Sequence, residues 1–291
     1  MLKKISNNNI KSDEYSVELG NAITIHTKIL SNPGIEGKTA ILLHSGAITG
    51  NHTLLERPAR WLINKGVFRE IIIPDRRGAG GSSPFTQVTS LDEQAEDIML
   101  LLNKLGYKKK IIALGASLGG PISMLLASKD SRITEVILLA SSFRMNLTRG
   151  KFHYLYKTGV MLFFIKLALS LFTGNSDMHY VNMDFVYDKH NTLGLIVAQI
   201  KILRQLNKKH LRSFYFMAES AFNKMNMDIT DRVKLSIPIT QIIGSKDKVW
   251  GKNISQEELK QYPGFRQEII KGAHHRDLFL RADEFLEKIP F

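Results

Sequence analysis

Cysteine is absent from all 291 residues, which removes disulfides, thiolate metal sites and cysteine nucleophiles at once. The absence fits a reducing compartment. The first nine residues carry Lys3 and Lys4 but no apolar run behind them, so no secretory signal is read and a cytoplasmic location is expected. Neither the phosphate-loop pattern G-x-x-x-x-G-K-[ST] nor the dinucleotide spacing G-x-G-x-x-G occurs at the glycine-rich turn around residue 115. His26, His52, His153, His179, His190 and His210 lack metal-ligand spacing and read as surface or cap residues. No metal or organic cofactor is expected. Acid is scarce relative to base: the formal charge is +13 and the isoelectric point about 9.7. The lysines are scattered, with short clusters at 108–110 and 208–210, and no zinc-finger, RNP or helix-turn-helix pattern accompanies them. They read as a solvated surface, and no nucleic-acid partner is expected.

What the chain does have is centred on residues 108–120. The apolar run Ile111, Ile112, Ala113, Leu114 reads as a buried parallel strand, and Ser123 to Ala127 as a helix behind it. Between them, Gly115-Ala116-Ser117-Leu118-Gly119 fits the G-x-S-x-G turn, in which a serine stands on a tight strand-to-helix corner. Such a corner is crowded, and glycines two residues to either side supply the clearance. The turn also brings the Leu118 backbone N–H and the positive end of the helix beside the serine hydroxyl, where an oxyanion would develop.

Along the chain, residues 15–19 and 23–29 alternate about Gly20-Asn21 and predict a hairpin at a sheet edge. Buried strands are predicted at 38–43 and 70–73 and further strands at 134–140, 237–243 and 266–270, with helices at 54–64, 90–105 and 276–288. Ser90 and Glu93 carry the capping-box spacing for the second of these helices. Strands alternating with helices predict an α/β fold, a mostly parallel sheet covered on both faces. The alternation breaks for about ninety residues. The division expected is therefore a core of residues 1–142 and 235–291 with an inserted helical cap at 143–234.

A nucleophilic serine needs a base, and the base an orienting carboxylate, each just past the carboxyl end of a strand. Two late loops qualify: Gly244-Ser245-Lys246-Asp247 and Gly272-Ala273-His274-His275. The order Ser117, Asp247, His275 follows the serine–acid–histidine order of α/β-hydrolases. With His44-Ser45-Gly46 and Asp75-Arg76-Arg77-Gly78-Ala79-Gly80-Gly81-Ser82 also in sequence, the chain resembles the α/β-hydrolase superfamily, in the capped group that holds esterases and proline iminopeptidases. The resemblance implies the α/β-hydrolase fold, Ser117 as nucleophile, His275 as base and Asp247 as its acid. His274 is the rival base; loops of the form Gly-x-Gly-His align Gly272 with His275. It further implies an oxyanion hole from the backbone N–H groups of Leu118 and Gly46. Most relatives have glycine where Ser45 stands. His44 and Asp75 are read as structural.

The cap carries a sharply apolar stretch at 160–172, too short for a membrane span and broken by Lys166. It reads as a buried cap helix; the competing reading is a lid that holds an acyl chain or meets an anionic membrane through Lys151, Lys157 and Lys166. Phe214, Tyr215, Phe216, Met217, Phe222, Met225 and Met227 suit an adaptable apolar pocket or a cap core. Carboxylates able to hold a substrate amino group are few, Glu219 being the best placed. The expectation is a serine hydrolase acting through an acyl-enzyme on carboxylic esters of moderately apolar acyl groups, its partner a small-molecule apolar ester or amide. Alternatives are an iminopeptidase-like amidase, a membrane-associated lysophospholipase and a non-catalytic binding protein on the same fold. Oligomeric state is not legible.

Overall fold

The computed structural model describes residues 9–43, 51–143, 216, 229–250, 259–275 and 277–280. Eight strands form one sheet: β1 (Lys11–Gly20), β2 (Ile23–Ser31), β3 (Lys38–Leu43), β4 (Phe68–Pro74), β5 (Ile111–Ala116), β6 (Ile133–Leu139), β7 (Ile239–Gly244) and β8 (Phe265–Ile270). Their spatial order is β1-β2-β4-β3-β5-β6-β7-β8. β1 and β2 form an antiparallel hairpin and β2 pairs antiparallel with β4, whereas every pairing from β4 through β3 to β8 is parallel. β1 begins at Lys11, four residues before its alternation becomes visible, because Lys11 to Ser16 are exposed and carry no buried face. Backbone pairing alone extends it, with Lys11 opposite Ser31.

The parallel strands read as continuous apolar runs because both sides of the sheet are covered. Ala40, Leu42, Ile71, Ile73, Ile112 and Leu114 point to one side, packing with Leu55, Leu62 and Ile63 of α1 (His52–Asn64). Ile41, Leu43, Ile72 and Ala113 point to the other. They pack with Ile98 of α2 (Leu91–Lys104) and Ile122 and Leu125 of α3 (Gly119–Lys129). α4 (Asp277–Leu280) adds Leu278 to the first layer. The remainder of the expected terminal helix lies outside the described residues.

Most of the expected cap also lies outside them, but the two ends of that stretch do not. Phe143 and Ile229 are both fully buried in the second layer, and the Ile229 N–H donates to the Phe143 carbonyl at 3.3 Å. Tyr262 holds this junction, its ring 5.0 Å from that of Phe143 and its hydroxyl donating to the Val233 carbonyl at 3.0 Å. The two ends of that stretch therefore meet at one point of the second layer.

Strand order reverses between β3 and β5, the topological switch where a parallel sheet leaves a crevice beyond its carboxyl ends. The site is built there.

Candidate active site

β5 delivers Ser117 to this edge. The backbone at Ser117 is left-handed, φ +53°, a conformation most side chains avoid. Its neighbours over-determine it. The Ser117 N–H donates to the Leu139 carbonyl at 3.0 Å. Its own carbonyl accepts from the Gly120 N–H at 2.9 Å and from the Ser141 hydroxyl at 2.5 Å. A Cβ on Gly115 would strike the backbone of Gly119 and Gly120, so the clearance read from the sequence is real at Gly115. Gly120 is equally constrained, because a Cβ there would meet Ser141. Leu118 caps α3 with its side chain buried. The helix thus starts beside the serine, with its positive end toward the hydroxyl.

β7 ends at Gly244 and the next turn carries Asp247, 4% exposed. β8 ends at Ile270 and leads through Gly272 (φ +83°) to His275. These two loops are locked together: the Lys246 N–H donates to the Ala273 carbonyl at 2.9 Å and the Ser245 N–H to the Ile270 carbonyl at 2.9 Å. The Gly272 N–H donates to the Ser245 hydroxyl at 2.8 Å. His275 consequently lies between acid and serine. Its Nδ1 is 2.9 Å from Asp247 Oδ2 and its Nε2 is 3.0 Å from Ser117 Oγ. His274 is exposed, and its backbone N–H donates to Asp277 Oδ2 at 2.7 Å. A hydroxyl, an imidazole and a buried carboxylate in this relay suit proton transfer from oxygen to ring nitrogen.

One participant has no counterpart in the sequence reading. The Trp250 indole, 2% exposed, directs Nε1 to Ser117 Oγ at 3.3 Å. Nothing in the pattern of the 244–250 loop marked it, since an aromatic three residues past an acid is unremarkable. The loop expected to supply Gly46, with His44 and Ser45, lies outside the described residues.

The Asp75 loop takes a supporting position. Asp75 is fully buried, and its Oδ1 accepts from the His52 N–H at 2.6 Å and faces His52 Nδ1 at 3.0 Å. Its Oδ2 accepts from the Gly81 N–H at 2.9 Å. The Ser82 hydroxyl donates to the Asp75 carbonyl, and the Asp75 N–H to the His26 carbonyl at 2.8 Å. This corrects the reading of His52 as a surface residue: it is 1% exposed, because the helix start it belongs to is tied to Asp75. His26 is also drawn in, its ring 5.3 Å from that of His52. Burial lowers the His26 pKa from its ordinary value against the pull of Asp75. Ligand atoms of His26, His52 and Asp75 lie within 4.8 Å of one another. A cation held there would have to displace the protein donors already on Asp75.

The two arginines of this loop face α2. Arg76 is buried against Gln94, and burial pulls its pKa down to about 10. Arg77 makes a two-pronged pair with Asp97 at 2.8 and 2.5 Å. Burial raises the Asp97 pKa despite that partner.

The family model for the alpha/beta hydrolase fold matches residues 64–281. Among curated proteins none matches the chain. Among solved structures, the 2-hydroxy-6-oxo-6-phenylhexa-2,4-dienoate hydrolase of Rhodococcus sp. strain RHA1 superposes with TM-score 0.69 at 19% identity, covering 94% of this chain and 96% of its own. A thermophilic esterase from Thermogutta terrifontis gives 0.64 at 18% identity, with 94% of each chain covered. A bacterial membrane phospholipase A gives 0.65 at 18%, covering 94% of this chain and 83% of that one. At these identities the structures speak to fold. With the family model spanning most of the sequence, the chain belongs to the α/β-hydrolase fold family.

Proposed function

We propose that this protein is a serine hydrolase that cleaves carboxylic esters of moderately apolar acyl groups through an acyl-enzyme. The observation that carries the reading is the unbroken relay from Ser117 Oγ through His275 to Asp247, with contacts of 3.0 and 2.9 Å. In the first step Oγ attacks the ester carbonyl while His275 Nε2 takes its proton, and Asp247 stabilises the imidazolium through Nδ1–H. The tetrahedral oxyanion is held by the Leu118 N–H at the head of α3 and, by the family resemblance, by that of Gly46; one such donor is worth on the order of a hundredfold or more in rate. The imidazolium then protonates the departing alkoxide, which leaves as the alcohol. In the second half, water loses a proton to His275, attacks the acyl carbonyl and releases the acid, and Oγ regains its proton. No step calls for a metal or organic cofactor. The ester preference is supported by the apolar character of residues 160–172 and by the few carboxylates in 143–234 that could hold a substrate amino group.

A series of p-nitrophenyl esters of graded acyl length tests the reading, together with a fluorophosphonate located by peptide mass spectrometry. Turnover and a single adduct on Ser117 are expected. Ser117→Ala should lose the adduct and about four or more orders of magnitude in kcat. Wild-type protein that neither turns over an ester nor takes the label sinks the proposal.

A further inference from the structure

We infer that Trp250 is a catalytic hydrogen-bond donor to the nucleophile, one that sets the direction of the proton relay before substrate arrives and stabilises charge on Ser117 Oγ in both halves of the reaction. The inference rests on the ester-hydrolase reading for its kinetic consequences, but its geometric basis stands without it.

The starting point is donor and acceptor inventory. A serine hydroxyl has one hydrogen and two lone pairs, and an indole N–H can only donate. Ser117 Oγ has Trp250 Nε1 at 3.3 Å and His275 Nε2 at 3.0 Å. Toward the indole the oxygen must therefore accept, and its hydrogen is free to point at His275. The imidazole then accepts at Nε2 and carries its own hydrogen on Nδ1, facing Asp247 Oδ2 at 2.9 Å. That is the tautomer a general base needs.

The same carboxylate builds both arms. Asp247 Oδ2 faces the imidazole, while Oδ1 accepts from the Val249 N–H at 2.8 Å and the Trp250 N–H at 3.2 Å. This turn carries the buried indole to the serine, with Nε1 at 3.3 Å from Oγ. A residue that served only as packing would have no reason to aim its one polar atom at the nucleophile.

The chemistry makes the bond selective for transition states. As Oγ gives up its hydrogen and attacks, it accumulates negative charge and the indole bond becomes charge-assisted. In the acyl-enzyme the same atom is an ester oxygen, a weak acceptor. During deacylation it becomes the leaving oxygen and charge returns to it. An interaction that strengthens in both transition states and slackens between them raises kcat with little effect on KM.

The protein has two tryptophans, so its nitrogen–proton NMR spectrum contains two indole resonances, and Trp61→Phe assigns them. Ser117→Ala should move the Trp250 resonance upfield and leave that of Trp61 in place. An unmoved Trp250 resonance overturns the inference whatever the kinetics, and this arm uses neither substrate nor a Trp250 variant. In the second arm, Trp250→Phe should lower kcat on a p-nitrophenyl ester about three- to tenfold, the effect of one net hydrogen bond. KM should stay within about twofold, and fluorophosphonate labelling should slow by the same factor as kcat. Unchanged kcat and labelling, with the fold intact by circular dichroism, also overturn it. If the wild type fails to hydrolyse esters or take the label while the resonance still responds to Ser117→Ala, the ester reading has failed and the hydrogen bond has not.

Discussion

Ser117 and Ala140 occupy left-handed backbone at φ +53° and +46° on adjacent strand ends, and each is pinned by a neighbour. Ser117 is bonded to Leu139, and the Ala140 N–H donates to the Ile242 carbonyl at 2.8 Å. The Ser141 hydroxyl closes onto the Ser117 carbonyl at 2.5 Å. The Ser141 carbonyl in turn accepts from the Gln241 amide at 2.7 Å. Left-handed non-glycine residues cost about 1 kcal/mol or more each and persist only where such surroundings enforce them. At Gly115 the obstacle is backbone, since the chain folds back directly over it. Gly115→Ala is expected to destabilise the protein by about 3 kcal/mol in urea unfolding, because the backbone it would strike cannot rotate away as a side chain could. At this scale Ser117, its glycine flank, Asp247 and His275 could be named from the sequence as candidates, since each belongs to a local pattern at a strand end. Trp250, Ser141 and Gln241 were not disclosed, because their roles are contacts between strands with no spacing rule behind them.

At the scale of elements, α2 shows how fully a local signal can specify a boundary. The Ser90 side chain accepts from the Glu93 N–H at 3.1 Å, and the Glu93 carboxylate accepts from the Ser90 N–H at 2.7 Å. This is the reciprocal pair that the Ser–x–x–Glu spacing predicted. Ser90→Ala should cost about 1 kcal/mol, measurable as a lower urea midpoint with the unfolding slope unchanged. The start of α1 was less legible. Its cap is Asn51, whose side chain accepts from the Thr53 N–H at 2.9 Å, and its first turn is anchored by Asp75 from another loop. β1 outran its prediction for a related reason. An edge strand whose outer half is solvated on both faces carries no alternation to read.

For the whole molecule, the antiparallel hairpin is fastened to the α1 layer by charge as well as by packing. Lys28 of β2 reaches Glu56 of α1 at 2.8 Å and Glu14 of β1 at 3.0 Å, and Arg60 also grips Glu56 at 2.7 Å. Burial pushes the Glu56 pKa up, but the bonds from Lys28 and Arg60 outweigh it and hold the carboxyl below its ordinary 4.5. For Lys28 the balance runs the other way: burial lowers it and the two glutamates more than restore it, leaving it raised. A carboxyl depressed in the folded state contributes stability that is present above its unfolded pKa and lost as the pH falls through the folded value. Glu56→Gln should therefore be less stable than wild type by about 1 kcal/mol at neutral pH. The gap should close as the pH is lowered beyond 4.5, which thermal melts across that range would register. No helix among the described residues is long and apolar enough to cross a membrane.

Local order along the chain was enough to establish the α/β class, the two-sided cover of the sheet, the serine turn and the late acid and histidine loops. Each rests on residues close in sequence, where periodicity, capping and turn chemistry act. Folding alone decided the strand order, with β4 inserted between β2 and β3, because pairing between distant strands is selected by the complementarity of whole faces. It decided that His275 rather than His274 faces Ser117, since one step along a turn reverses a side chain's direction. It also carried Trp250 to a serine far away in sequence, within hydrogen-bond reach of the atom proposed to do the chemistry.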